Sequence, residues 1–258
     1  MKKIVAIGGG ENGRIDEFGK KLDYETLEID KEIIKLTGKK KPNYLFICHS
    51  FSSSLDIQDS YYKTMKKIYG DMFGCNCKHL RSDELDSMDI VKEKVNWADI
   101  IYEGGGDTDS MIKLWKKTKF DKILRNAWIE GKVICGISAG AVCWFNYCNS
   151  DSEDSSFDEI KCLNWFNLFI TPHANEKGRY SSTKAQLKEN NMIGLMLSNR
   201  SAIEIIDNKY RIVNSKYNKN CNKPYVIKAY WKKNKFIEHR LSNELLFKDI
   251  DYLFEKKD

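Results

Sequence analysis

Five short apolar runs, at residues 4–7, 44–48, 99–102, 132–136 and 168–171, are set apart by longer stretches with helical spacing. This alternation constrains the fold more than any other feature. Runs of four or five mainly apolar residues are too short for helices and read as strands buried on both faces. Parallel strands need crossover connections, and candidate helices at 60–70, 109–116, 122–130 and 139–147 supply them. The expected fold is α/β, a mostly parallel central sheet with helices on both faces. Beyond Gly178 a polar helix-like stretch gives way to runs at 202–206, 210–214, 225–231 and 236–240. Asp207-Asn208 and Lys233-Asn234 tolerate the left-handed backbone of tight turns, so these runs read as hairpins. The 258 residues are expected to form a single α/β domain with a C-terminal β-rich extension at about 200–242.

Apolar residues make up 41% of the chain and charged residues 31%, with no long charge tract, which favours a globular chain over a disordered one. The eight cysteines are scattered, and Cys48, Cys135 and Cys143 lie inside apolar runs, so no disulfide framework is expected. Cys75-Asn76-Cys77-Lys78-His79 lacks both Cys-x-x-Cys spacing and a second pair, and no metal site is expected there. The net charge of +6 comes from small lysine runs with acidic residues near them, a solvated surface rather than a nucleic-acid footprint. The N-terminal apolar run is too short for a signal peptide, and nothing approaches the roughly 18 apolar residues of a membrane span. A cytoplasmic protein without membrane or nucleic-acid partners is the expectation.

Chemistry concentrates at three strand ends. Gly136-Ile137-Ser138-Ala139-Gly140-Ala141 is a G-x-S-x-G match between an apolar run and a helical pattern. There a serine sits on a strained turn with its hydroxyl projecting above the sheet edge. The amide of Ala139 would face a developing oxyanion. Gly104-Gly105-Gly106-Asp107-Thr108 follows a second buried run, and Gly105 and Gly106 are candidates to share that oxyanion. Asp107 would hold the loop or the helix that follows. Phe169-Ile170-Thr171-Pro172-His173 puts a histidine just past a third run, where open α/β sheets build their sites. Histidine is the usual base for a serine hydroxyl. His49 also follows a run, so position alone does not choose between the two, whereas His79 and His239 stand in polar contexts and read as surface.

Taken in order, these motifs resemble the peptidase E family of serine peptidases, whose flavodoxin-like fold is related to the class I glutamine amidotransferases. The resemblance also covers the opening Ile7-Gly8-Gly9-Gly10-Glu11, Cys143-Trp144-Phe145 after the elbow, and the segment from Pro172-His173 to Arg179. It implies Ser138 as nucleophile, His173 as base, and Gly105, Gly106 and Ala139 around the oxyanion. The triad acid would come from Asn149-Ser150-Asp151-Ser152-Glu153-Asp154; Asp151 is the choice, with Glu153 and Asp154 open. Glu176 and Arg179 would recognise the charged ends of a substrate. The implied activity is cofactor-free hydrolysis of short peptides, as an exopeptidase or dipeptidase, by a chain that could form a homodimer.

Other readings stay open from the sequence. The same scaffold carries cyanophycinase-like and other amide hydrolases, because fold and triad do not fix the acyl group. A catalytically silent peptide binder is a third option. Gly8-x-Gly10-x-x-Gly13 after a strand is formally a dinucleotide fingerprint, which would require a helix opening at Gly13.

Overall fold

The computed structural model describes residues 1–15, 18–151, 156–217, 223–243 and 246–256. The first strands are β1 (Lys3–Ile7), β2 (Asn43–Ile47), β3 (Asn76–Leu80), β4 (Ile100–Glu103) and β5 (Val133–Ile137). Next come β6 (Phe145–Asp151), β7 (Phe157–Lys161), β8 (Phe166–Thr171) and β9 (Ile193–Leu197). The chain continues with β10 (Ser201–Ile206), β11 (Lys209–Asn214), β12 (Val226–Lys232), β13 (Lys235–Leu241) and β14 (Lys248–Asp249).

The strands form two sheets, ordered β14-β11-β10-β1-β5-β4-β2-β3 and β13-β12-β9-β8-β6-β7. In the first, β1 to β5 are mutually parallel, in registers such as Ile4 with Ile134 and Ile134 with Ile101. The hairpin β10–β11 joins antiparallel on β1, so this sheet is mixed. In the second, β6, β8 and β9 are parallel, flanked by antiparallel strands on both sides.

The apolar runs are uniform because both faces of the first sheet are covered. Val5, Ile7, Tyr44, Phe46, Tyr102 and Cys135 face α1 (Leu27–Lys35) and α2 (Leu55–Lys66), meeting Ile29, Ile33 and Met65. Ile4, Leu45, Ile47, Ile101 and Ile134 face the other way, towards α3 (Met88–Trp97), α4 (Thr108–Thr118) and α5 (Phe120–Ile129). That second cluster runs on into Phe145, Leu168, Ile170 and Leu195 of the second sheet, so the two sheets share apolar packing. Each such side chain contributes about 1.5–3 kcal/mol on burial. No helix among the described residues is long and apolar enough to cross a membrane.

The second sheet lay outside the sequence expectation, and one misreading explains much of that. Residues 139–147 read as a helix, yet α6 (Ala139–Val142) lasts only four residues before β6 begins. Trp144 and Phe145 are fully buried, and their carbonyls accept from Trp165 (2.8 Å) and Asn164 (2.7 Å), while Trp144 packs on Trp165 at 4.8 Å. Tertiary pairing of two large aromatic residues overrides a local pattern that helix and strand can share. The polar stretch after Gly178 is α7 (Arg179–Asn190), and the chain ends in α8 (Asp251–Phe254).

Candidate active site

The ends of β1, β4 and β5 in the first sheet and of β8 and β9 in the second converge on Ser138. The serine follows β5 with φ 54° and ψ −116°, a backbone state that side chains avoid unless their surroundings impose it. Three hydrogen bonds impose it: Ser138 N–H donates to Ile7 O (3.0 Å), while its carbonyl accepts from Ala141 (2.8 Å) and Val142 (3.0 Å) to start α6. The flanking glycines are required by crowding. A Cβ at Gly136 would stand 2.6 Å from the carbonyl oxygen of Glu103, and one at Gly140 would collide with that same oxygen. The end of β4 therefore lies directly against the elbow.

His173 leaves β8 with φ 48°, tied to β1 by its N–H to Gly8 O (2.9 Å). Its Nε2 lies 3.0 Å from Ser138 Oγ, and its Nδ1 lies 2.7 Å from Asn199 Oδ1 and 3.3 Å from Glu176 Oε1. Both partners of Nδ1 are acceptors, so the proton sits on Nδ1 and the Nε2 lone pair faces the serine hydroxyl. Serine and imidazole are partly exposed.

Asn199 was not a sequence candidate. It stands in the turn from β9 to β10, with its backbone N–H donating to Asn175 Oδ1 (2.7 Å), and Arg200 N–H donates to Gly9 O (2.9 Å). A Cβ at Gly9 would collide with the His173 ring and Asn199 Oδ1, so the glycine run after β1 serves as a lid on that pair. Among the described residues it opens no helix: Asn12 bridges to Tyr24, Ile15 bridges to Lys21, and α1 starts only at Leu27. The dinucleotide fingerprint thus lacks its helix. Beside Asn199, Glu25, Arg200, Ser198 and Tyr225 line a cleft of about 180 Å³, in which Arg200 pairs with Glu25.

Asp151, the expected partner of His173, points elsewhere. Its carboxylate bonds Arg179 Nη2 at 2.7 Å, and Glu153 and Asp154 lie outside the described residues. The cause is Arg179, which is 1% exposed and lies over Phe157 at 4.4 Å. A buried guanidinium needs compensation, and it draws Asp151, Asn149 Oδ1 (3.1 Å) and Glu176 Oε2 (3.4 Å) around itself. Arg179 is thus engaged within the protein, contrary to the expectation of a residue presented to substrate. Glu176 stays half exposed and touches both His173 and Arg179.

The glycine loop after β4 closes over Ser138. A Cβ at Gly105 would stand 3.8 Å from Ser138 Oγ, and among the described residues the amides of Gly105, Gly106 and Ala139 donate to no backbone carbonyl. Asp107 caps α4, accepting from Asp109 (2.9 Å) and Ser110 (3.1 Å). Ser50 braces the loop: its Oγ donates to Gly105 O (2.8 Å) and its N–H to Glu103 Oε1 (3.2 Å). Glu103 is fully buried, and burial pushes its pKa up to about 8.

The other strand-end histidine is far from this arrangement in character. His49 is fully buried and held by Trp115 and Leu80. His79, expected at the surface, is instead largely covered beside Tyr62, and burial lowers its pKa to about 4. Among the described residues no group of three or more His, Cys, Asp or Glu is placed to hold a metal ion.

Comparison with known proteins agrees with this architecture. Over 180 residues the chain is 32% identical to the uncharacterized peptidase YgaJ of Bacillus subtilis (strain 168), covering 69% of this chain and 72% of that protein. A peptidase from an acI-B1 actinobacterium superposes with a TM-score of 0.71 at 18% identity, covering 96% of each chain. A Listeria monocytogenes EGD-e protein described as a candidate peptidase E superposes at 0.62 with 20% identity, over 84% of this chain and all of that one. At these identities the structural matches speak for the fold alone. The model of peptidase family S51 matches residues 18–213, most of the chain. The protein therefore belongs to peptidase family S51, the family of peptidase E.

Proposed function

We propose that this peptidase hydrolyses short peptides through a serine acyl-enzyme, acting as an exopeptidase or dipeptidase. Ser138 Oγ attacks the scissile carbonyl while His173 Nε2 takes its proton. The amides of Gly106 and Ala139, with Gly105 beside them, hold the oxyanion, and the protonated imidazole then delivers its proton to the leaving amine. Water repeats the sequence on the acyl-enzyme and releases the acid. Asn199 holds the imidazole in the productive tautomer by accepting from Nδ1–H.

The observation that carries this reading is the 3.0 Å contact between Ser138 Oγ and His173 Nε2, on a serine whose backbone is forced out of its ordinary range. Exopeptidase action rests on kinship with peptidase E. A fluorophosphonate probe should label the protein covalently, and Ser138→Ala and His173→Ala should each abolish labelling. Labelling unaffected by both would exclude this nucleophile and base. Short peptides, including N-terminal aspartyl and isopeptide substrates, then define the leaving group and scissile bond.

A further inference from the structure

Asn199 fixes the Nδ1 proton, but a neutral amide offers little to the positive charge that His173 acquires when it takes the serine proton. A second acceptor stands at the same nitrogen: Glu176 Oε1, at 3.3 Å. Its other oxygen lies 3.4 Å from Arg179 Nη2, which also bonds Asp151 at 2.7 Å. Local backbone aligns these groups. Glu176 N–H donates to His173 O (2.9 Å) and Arg179 N–H to Glu176 O (3.3 Å), so the three side chains rise from successive turns. Arg179 is locked by burial, by Asn149 and by the face of Phe157, and it fixes the direction in which Glu176 points.

We infer that Glu176 is the charge partner of His173, a positioning residue held in place by the buried Arg179, which Asp151 in turn engages from the surface. The task of a single triad acid is then divided: Asn199 selects the tautomer, and Glu176 stabilises the imidazolium. This rests on the Ser138–His173 reading above. It also gives Asp151 a part in the site, linked to the imidazole through Arg179 and Glu176. Glu176 is 45% exposed, so water screens its charge and the effect is smaller than the loss of a buried acid.

The alternative role for Glu176 is to bind the amino terminus of a peptide, and a neutral alkyl fluorophosphonate separates the two because it has no amino group. With Glu176→Gln, which keeps the shape and removes the charge, the second-order rate of phosphonylation should fall about tenfold, a part of the 10²- to 10⁴-fold that a positioned base supplies. In peptide hydrolysis kcat should fall with KM little changed, and Glu176→Asp should recover part of both rates. Phosphonylation of Glu176→Gln at the wild-type rate, with any defect confined to KM, would overturn the inference while leaving Ser138 and His173 in place. Equal rates for the Asp and Gln variants would also overturn it. Labelling that persists in Ser138→Ala would instead remove the reading beneath it.

Discussion

His49 and His173 occupy equivalent places, each just beyond a parallel strand, and their surroundings make them opposites. His49 lies between the first sheet and α4: Nδ1 accepts from Trp115 Nε1 at 2.9 Å, Nε2 donates to Leu80 O at 3.0 Å, and Phe120 meets the ring edge-on at 5.3 Å. With both nitrogens occupied and the ring fully buried, burial lowers its pKa to about 3 and it stays neutral. His173 leaves its strand in a left-handed conformation that turns one nitrogen to Ser138 and the other to two acceptors. On the proposed reading, a strand-end histidine serves as a base only where one nitrogen is left for a reacting group.

Removing each ring tests that contrast. His173→Ala should lower kcat/KM by at least about 10³-fold with the denaturation midpoint little changed. Folded His49→Ala should keep the probe reactivity of Ser138; a folded but unreactive variant would break the comparison. A smaller kinetic effect belongs to Asn199. Asn199→Ala should lower kcat roughly 10²-fold, and Asn199→Asp, which still accepts from Nδ1–H, should retain activity. In stability the order reverses. His49→Ala strands the Trp115 N–H and the Leu80 carbonyl around a cavity, and urea denaturation should show a loss of about 2–4 kcal/mol.

Titration sharpens the same point more gently. An unfolded histidine titrates near ~6.5, whereas folded His49 holds out to about 3 and His79 to about 4. Between those values the unfolded chain binds more protons, so their contribution is full above the unfolded pKa and is lost as pH falls through this window. His49→Gln should flatten that acid limb. Glu103 has the opposite sign: with a folded pKa of about 8 it binds its proton more tightly when folded, and stability declines as pH rises from ~4.5 towards 8. Glu103→Gln should reduce the decline in midpoint over that range.

Much of this was readable along the chain because it is local. The run 132–136, two glycines and a serine define the elbow, although the crowding against Glu103 that requires those glycines comes from the neighbouring strand β4. His173 follows an apolar run and proline, so it too was visible, though nothing local separated it from His49. Asn199 was hidden, although Ile193–Leu197 is an apolar run ending in a polar turn, as β8 is; that run passed as part of a polar segment. The fate of Asp151 depends on Arg179 being buried against Phe157, a contact between α7 and β7 that no spacing encodes. The second sheet escaped for a similar reason, since the chain turns at Trp144 and enters β6 at Phe145 where Asn164 and Trp165 come back to pair with them.

The most direct test of the central claim is peptide mapping by mass spectrometry after reaction with a fluorophosphonate. The account predicts one adduct, on the peptide containing Ser138, absent from His173→Ala and present in folded His49→Ala. An adduct on another residue, or one at Ser138 that forms equally well without His173, would contradict it.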